Sequence, residues 1–436
     1  MSLNIAYIEA EIQDQYLHDD NPRPWIIGFS GGKDSTMLLQ LVWNALKKIE
    51  PGLLTRPIYV VCNDTLVENP KIVEYVGHVL ELIKNAATEQ GLPIFVHTTS
   101  PRLEDTFWLN LIGKGYPAPN NFFRWCTERL KINPTTRFIQ EKVKESESGE
   151  AIILLGTRQS ESATRSRSLN RHKVIGQRLR RHVLPNAWVY APIIEVTTDE
   201  VWIYLRSINS PWGYDNKQLQ ALYRNASGGD CPLVVDKTTP SCGNSRFGCW
   251  VCTVVNKDKA MEGLIEYGEE WMVPLLELRE FLAMSRNNPE MREDRGRDNK
   301  KRLGPYKPKV RYEILKRLLE AQYEIQQEQG DIQLISHQEL VAIQISWYRD
   351  AIFQYKVSDI YNSIFPNHID MRKHEEKYKQ EEELLKKVCT DTPEDISLIQ
   401  ELLALEKTKM LLIKKRGLQQ DIDKRLEKFL EEKSNQ

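Results

Sequence analysis

Residues 25–35, Trp25-Ile26-Ile27-Gly28-Phe29-Ser30-Gly31-Gly32-Lys33-Asp34-Ser35, decide the fold of this chain. The first five form an apolar run of the length that buried strands have. From Asp34 to Lys48 apolar residues recur at helical spacing, so the Ser-Gly-Gly turn connects a strand to a helix. Glycines let an anion approach the backbone amides, and the helix start adds partial positive charge. The stretch therefore predicts a phosphate-binding loop.

On both sides of this loop, predicted strands alternate with predicted helices. Apolar runs at 57–62, 93–98 and 151–156 predict strands, and residues 69–89 have helical periodicity. The order β-α-β-α-β is typical of a parallel sheet with helices on both faces. We therefore predict an α/β fold with a doubly wound parallel sheet, in which ligands bind where strands end and helices begin.

Composition excludes some classes of protein and predicts three parts. The chain has 436 residues, and its hydrophobic content of 41% is ordinary for a globular protein. Its formal net charge of -1 gives no overall positive potential of the kind that attracts nucleic acid. Its apolar runs are too short to span a bilayer and its first residues do not form a signal peptide, so we expect a cytoplasmic protein. The predicted parts are a nucleotide domain at 1–218, a Cys-rich and basic region at 219–311, and a helical C-terminal region at 312–436.

Each polar residue of the loop suits a role in binding phosphate. Ser30 and Ser35 can donate hydroxyls, Lys33 supplies a mobile cation, and Asp34 can bind backbone amides or help to hold Mg²⁺. The spacing differs from the Walker loop, G-x-x-x-x-G-K-[ST]. It is similar to the S-G-G-x-D-S pyrophosphate loop of ATP pyrophosphatases. That resemblance implies ATP, split between its α- and β-phosphates to adenylate a substrate.

Two other strand ends should present side chains beside this loop. The second strand is followed by Asn63-Asp64-Thr65, which is either a nucleotide anchor or a helix-capping turn. The fourth is followed by Gly156-Thr157-Arg158-Gln159-Ser160-Glu161-Ser162. The planar fork of Arg158 suits phosphate. Glu161 can orient Arg158 or Mg²⁺, or stabilise a helix start.

Four of the seven cysteines fall within one Gly- and Pro-rich segment. They are spaced C-x10-C-x6-C-x2-C, as Cys231, Cys242, Cys249 and Cys252. Such clustering favours a metal site, and thiolates select zinc or iron–sulfur. The spacing alone leaves structural zinc and a [4Fe–4S] cluster open.

Cys126 stands apart, in a Trp-Cys-Thr turn before a predicted helix. The helix start and nearby Arg124, Arg129 and Lys131 should lower its pKa toward thiolate, which suits a persulfide carrier. The alternative is a buried packing cysteine, which is our interpretation of Cys62.

Two basic segments, 158–181 and 285–311, suit a polyanionic substrate or are solubilising loops. Trp250 and Tyr306 are expected to stack on an unpaired base.

The strand ends, with Arg124-Trp125-Cys126-Thr127 and Leu130-Lys131-Ile132-Asn133-Pro134, resemble the phosphoadenosine-phosphosulfate (PAPS) reductase family over roughly residues 20–210. That resemblance implies a pyrophosphate-loop fold of the adenine-nucleotide α-hydrolase type. The order of loop, Asn-Asp-Thr, lone cysteine and four-cysteine cluster is also similar to the DndC family, the sulfurtransferases of bacterial DNA phosphorothioation. The second resemblance implies that the four cysteines hold a [4Fe–4S] cluster. It further implies DNA as acceptor, a cysteine desulfurase as sulfur donor, and a complex with other DNA sulfur-modification proteins.

These observations predict an ATP-dependent sulfurtransferase. Lys33, Asp34 and Arg158 would act on ATP, and either Cys126 or the cluster would deliver sulfur to an adenylated DNA phosphate. Three alternatives stay open: a tRNA thiolase, a PAPS reductase-type enzyme, and a non-catalytic, ATP-sensing nucleic-acid-binding subunit. The catalytic cysteine motif that PAPS reductases carry near the C-terminus is not seen, which argues against the second.

Overall fold

A computed structural model describes residues 4–18, 22–159, 178–225, 248–296, 300–350 and 352–369, with isolated positions after 397. The chain forms two compact units. The first comprises residues 1–102 and 119–279, and the second comprises residues 103–118 and 280–436. The three-part division predicted from composition stays a prediction.

The first unit is built on a six-stranded, mostly parallel sheet. Its strands are β1 (Trp25–Gly28), β2 (Ile58–Asn63), β3 (Ile94–Thr99), β4 (Ala151–Leu154), β5 (Arg180–Arg181) and β6 (Ala187–Tyr190). Their order is β3-β2-β1-β4-β6-β5, and only β5 runs antiparallel to its neighbour. The predicted doubly wound α/β fold is confirmed.

Helices precede, connect and follow these strands, and α2 and α3 lie close to where periodicity predicted them. They are α1 (Ile5–Leu17), α2 (Lys33–Leu46), α3 (Pro70–Glu89), α4 (Asn133–Glu145), α5 (Thr198–Ser207), α6 (Asn216–Asn225), α7 (Lys259–Glu266) and α8 (Val273–Ser285). Helix α5 is capped by Thr197. Thr197 Oγ1 accepts from the Glu200 N–H while the Glu200 carboxylate accepts from the Thr197 N–H, a complete capping box.

The chain order of the sheet reverses between β1 and β4, which pair in parallel with Ile27 opposite Leu154. The loops after these two strands therefore lie side by side at one edge, the usual place for a ligand. Gly156 makes the approach possible: a Cβ there would lie 3.0 Å from the carbonyl oxygen of Asp34 and 3.2 Å from the amide nitrogen of Ser35. The sequence thus brings the two predicted nucleotide loops together.

Helix α2 holds the phosphate loop in a fixed position. Met37, Leu38, Leu41, Val42 and Trp43 are fully buried, so the helix contacts the core on several faces. Burying this much apolar surface stabilises the helix start far beyond its intrinsic propensity.

The second unit is helical where it is described. It contains a π-helix at Leu109–Gly113 and helices α9 (Pro308–Gln329), α10 (His337–Arg349) and α11 (Val357–Ile364). Carbonyls of the π-helix are bonded by side chains: Arg311 Nε and Trp347 Nε1 donate to Ile112 O at 2.8 and 2.9 Å. The predicted helical character after residue 312 is confirmed for this part. Among the described residues, no helix is both long and apolar enough to cross a membrane.

Candidate active site

The phosphate loop is a tight turn closed by its own serines. Gly31 has φ +71°, a conformation that favours glycine, and a Cβ there would lie 2.6 Å from Val76 Cγ2. Ser35 Oγ donates to the carbonyl oxygen of Gly32 at 2.9 Å and accepts from the Ser30 N–H at 3.2 Å. These bonds close the turn directly before helix α2, and a helix start is the kind of position where anions bind.

Two tyrosines that the sequence did not single out complete the loop. The hydroxyl of Tyr223, on α6, accepts a hydrogen bond from the Lys33 N–H at 3.2 Å, and its ring centroid lies 5.6 Å from Lys33 Nζ. Tyr75, on α3, donates to the carbonyl oxygen of Gly31 at 3.0 Å. Tyr223 therefore bonds a helix-start amide that is a natural partner for a phosphate oxygen. An aromatic residue at helical spacing gives no sequence signal for this role.

Asp34 lies between two cations. Lys33 Nζ is 2.9 Å from Asp34 Oδ2, and Arg158 Nε is 2.7 Å from Asp34 Oδ1. Burial alone would raise the pKa of Asp34, but the two cations outweigh it and the pKa is lowered. Arg158 is 1% exposed and also donates to Val196 O and Thr198 Oγ1. The structure thus shows Arg158 positioning Asp34; its contact with phosphate stays a prediction.

One buried polar atom near the loop fits a nucleotide. Thr157 Oγ1, directly after Gly156, is buried without a hydrogen-bond partner among the described residues. Buried hydroxyls are usually bonded, so an unsatisfied one beside a phosphate loop is a candidate ligand contact. Glu161, predicted to orient Arg158 or Mg²⁺, lies outside the described residues.

The side chains of the Asn63-Asp64-Thr65 turn form hydrogen bonds with other residues of the protein. Asn63 Nδ2 donates to Leu130 O at 2.9 Å, and Asp64 Oδ1 accepts from the Leu66 N–H at 2.8 Å. Burial raises the pKa of the Asp64 carboxyl. Thr65 is fully buried, with Oγ1 3.3 Å from Cys249 Sγ. The turn therefore links the end of β2 to the cysteine segment, and its contact with nucleotide stays a prediction.

Cys249 is fixed to the loop after β2 by backbone and side-chain contacts. Glu68 and Cys249 form an antiparallel bridge, and the Trp250 N–H donates to Val67 O at 3.1 Å. Cys249 Sγ lies 3.7 Å from Glu68 Oε1. The Cys252 N–H donates to Cys249 O at 3.0 Å, so the two cysteines share one tight turn.

Three cysteines line one cavity of about 300 Å³. Cys126 comes from the start of the π-helix Thr127–Ile132, and Cys249 and Cys252 come from the turn fixed by Glu68. The structure thus brings the lone cysteine of the sequence together with the two described members of the cluster. Three basic residues, Arg124, Lys131 and Lys257, also line the cavity, with apolar walls that include Ile72, Leu130, Val254, Val255 and Leu264.

The electrostatics of the cavity differ from expectation. Burial raises the pKa of Cys126, and Cys252 raises it further, so the predicted lowering by nearby cations is wrong. The cause is desolvation, which exceeds the effect of Lys131. Lys131 Nζ lies 3.5 Å from Glu68 Oε1, and Cys249 and Glu68 raise the Lys131 pKa against the effect of burial. Lys131 is therefore a held cation facing the cysteines.

Three other side chains identified from the sequence are buried. Trp250 and Tyr306 are 2% and 1% exposed, so the prediction that they stack on a base is wrong. Tyr306 instead bonds Ser285 Oγ at 2.8 Å. Cys62 lies in the core beside β1 and α2, which confirms the packing interpretation.

The described part of the cysteine cluster fits a soft metal centre. Cys249 and Cys252 form a C-x-x-C turn at a shared cavity, and their thiols are the donor type of zinc and iron–sulfur sites. Cys231 and Cys242 lie outside the described residues. Among the described residues, no group of three or more His, Cys, Asp or Glu is placed to hold a metal ion.

Comparison with known proteins places the α/β unit in a family. The family "Phosphoadenosine phosphosulfate reductase domain" matches residues 24–255, more than half of the chain. An uncharacterized protein of Methanocaldococcus jannaschii is 26% identical over 251 residues, which are 57% of this chain and 40% of that protein. The chain thus matches well under half of that relative's length.

Two solved structures share a weaker likeness. The PAPS reductase of Candida auris, a phosphate complex, is 13% identical, with TM-score 0.29, covering 51% of this chain and 94% of its own. The U34-tRNA thiolase of Methanococcus maripaludis, with its [4Fe–4S] cluster, is 12% identical, with TM-score 0.30, covering 64% and 80%. Likeness at this level carries no argument about activity.

Proposed function

Because the chain belongs to the phosphoadenosine phosphosulfate reductase domain family, we propose that it is an ATP-dependent sulfurtransferase acting on DNA. It adenylates a backbone phosphate, releasing pyrophosphate, and then replaces AMP by sulfur. The observation that carries the proposal is the cavity that joins Cys126 to Cys249 and Cys252 beside Lys131. Thr65 and Glu68 connect that cavity to the end of β2, the parallel neighbour of the strand that leads into the phosphate loop.

Adenylation uses the loop and its surroundings. The backbone amides of the loop, Ser30 and Lys33 bind the phosphates, while Arg158 holds the Asp34 carboxylate in place. When ATP binds, a phosphate oxygen replaces the Tyr223 hydroxyl as the acceptor of the hydrogen bond from the Lys33 N–H. A non-bridging oxygen of the DNA phosphate attacks the α-phosphorus, the bond to the β-phosphate breaks, and pyrophosphate leaves.

Sulfur transfer uses the cavity. The Cys126 thiolate takes the terminal sulfur of a desulfurase persulfide, and the desulfurase thiolate leaves. The terminal sulfur on Cys126 then attacks the activated phosphorus, and AMP leaves. An external dithiol cleaves the remaining sulfur–sulfur bond. Cys126 is freed as thiolate, the dithiol becomes a disulfide, and the DNA keeps the sulfur as a phosphorothioate. Lys131 offers positive charge to the phosphate that enters. Cys231, Cys242, Cys249 and Cys252 would hold a [4Fe–4S] cluster, which would supply an electron store when bound.

Reconstitution tests the proposal. The protein is incubated with MgATP, cysteine, a cysteine desulfurase, a dithiol and either DNA or tRNA. The proposal predicts AMP, pyrophosphate and phosphorothioate dinucleotides in nuclease digests of DNA, measured by mass spectrometry. Thionucleosides in tRNA without phosphorothioate in DNA would identify a tRNA thiolase. A lack of pyrophosphate release with either acceptor would show that the loop only senses ATP.

A further inference from the structure

The turn at residues 120–123, which we name the aromatic turn, holds a phenylalanine in full contact with solvent. Phe122 is 100% exposed and Phe123 is 45% exposed. The turn is nevertheless ordered: Asn120 Oδ1 accepts from the N–H groups of Phe122 and Phe123, both at 2.8 Å. The side chain of Phe122 is thus presented by a defined backbone.

Buried contacts hold the aromatic turn at both ends. On one side, Pro119 O accepts a hydrogen bond from Thr253 Oγ1 at 2.6 Å, and Thr253 is fully buried. On the other side, Trp125 is 6% exposed. Single exposed apolar residues are ordinary on protein surfaces, so Phe122 alone carries no inference. The residues around Phe122 are what give its exposure a functional meaning.

The surroundings are the basic mouth of the cysteine cavity. Arg124 and Cys126 follow the aromatic turn directly and line the cavity. Four residues of chain reach at most about 14 Å, so the Phe122 backbone lies within that distance of Cys126. Arg124, Lys131 and Lys257 are exposed cavity-lining cations. An aromatic face beside such cations is the combination that binds the bases and backbone of single-stranded nucleic acid.

We infer that Phe122 is a stacking platform for an unpaired base of the nucleic-acid strand whose phosphate enters the cysteine cavity. The inference rests on the proposed function, and it adds that the acceptor strand is unpaired or distorted at the reacting phosphate. The exposed phenylalanine thus takes over the stacking role that the sequence wrongly gave to Trp250 and Tyr306.

Fluorescence anisotropy with a labelled single-stranded oligonucleotide tests this on the full-length protein. Phe122→Ala should weaken binding about 10-fold, since one base–aromatic stack is lost. Phe122→Trp should restore it. Ile203→Ala, which truncates a side chain 58% exposed on α5, should bind as the wild type does. The slope of log Kd against log salt should stay the same in Phe122→Ala and fall in Arg124→Ala, because only arginine neutralises phosphate.

The outcomes separate this inference from the proposed function. If the wild type binds the oligonucleotide and Phe122→Ala binds equally well, the stacking role is refuted and the DNA substrate survives. If the wild type does not bind the single-stranded oligonucleotide, the inference fails, while the proposed function still stands or falls on the reconstitution. If Phe122→Ala keeps its DNA affinity but loses affinity for the cysteine desulfurase, the aromatic turn is a protein-docking surface and the inference is wrong.

Discussion

Glu68 and Cys249 pair as an antiparallel bridge, and Cys249 Sγ lies 3.7 Å from Glu68 Oε1, although the two residues are 181 positions apart. Glu68 lies five residues after β2 ends, and Cys249 belongs to the cysteine cluster. This bridge fixes the nucleotide edge of the sheet to the cysteine cavity. For the function that we propose, it is the physical reason to treat the ATP step and the sulfur step as parts of one site.

Lys131 should matter for the acceptor phosphate. Lys131→Met removes the cation that Glu68 holds against the cysteines, and we expect kcat/KM for DNA to fall about 10- to 100-fold, with an effect of 1.5–3 kcal/mol as for charged hydrogen bonds. Steady-state kinetics at fixed MgATP measures it. Lys84→Met, on the exposed face of α3, is the matched control and should retain wild-type kinetics. Equal values for both variants would remove Lys131 from phosphate binding.

Gly31 should not tolerate a side chain. Gly31→Ala meets Val76 Cγ2 at 2.6 Å and strains a positive φ, so we expect a loss of about 1–3 kcal/mol in unfolding free energy and weaker ATP binding. Gly77→Ala, in α3 with open space around it, should instead stabilise by about 0.5–1 kcal/mol. Urea unfolding compares the two variants. Equal stability would show that the turn is not as tight as described.

Asp34 and Arg158 should be strongly coupled. Asp34→Asn leaves the buried guanidinium without its carboxylate, which should cost about 3 kcal/mol, and the double change with Arg158→Met should cost less than the sum. The exposed pair Glu313–Arg317 is the control, with an expected coupling below about 1 kcal/mol. The free energies of unfolding of the single and double variants in both cycles measure the two coupling energies. Additive costs at Asp34 and Arg158 would contradict the positioning role.

The thiol of Cys62 should make the stability of the protein depend on pH in the alkaline range. Burial, aided by Glu68 and Asp64, raises its pKa from 9.0 to about 11. Between these pH values the thiol is deprotonated in the unfolded chain but still protonated in the folded one. The free energy of unfolding therefore decreases as pH rises, and the protein becomes less stable. Cys62→Ala should therefore lose less stability than the wild type between pH 9 and 11. Identical pH profiles of Tm would show that Cys62 is not buried in solution.

The strand-loop-helix order and the phosphate loop could be predicted from the sequence. Apolar runs such as 25–29 and helical periodicity in α2 reflect burial, a local property of the chain. Cys126 and Cys249 line one cavity, although the sequence showed only their separate residue types, and a role of that cavity in sulfur transfer stays a prediction.

Long-range contacts could not be predicted in this way. Tyr223 reaches Lys33 across 190 positions, and Glu68 reaches Cys249 through a bridge that no periodicity encodes. The pKa of Cys126 was misjudged because desolvation depends on neighbours from distant segments. The exposure of aromatic side chains could not be predicted either, since Trp250 is buried by packing while Phe122 faces solvent.

Transfer of a sulfur label shows whether Cys126 carries the sulfur that reaches DNA. The protein is loaded from ³⁵S-cysteine by a desulfurase, and half of the sample is then chased with MgATP, DNA and a dithiol. Before the chase, the account predicts the label on the tryptic peptide Trp125–Arg129, and after it, in DNA as phosphorothioate. Cys126→Ser should yield neither, while Cys62→Ala should behave as the wild type. Labelled phosphorothioate formed at the wild-type rate by Cys126→Ser would contradict the account.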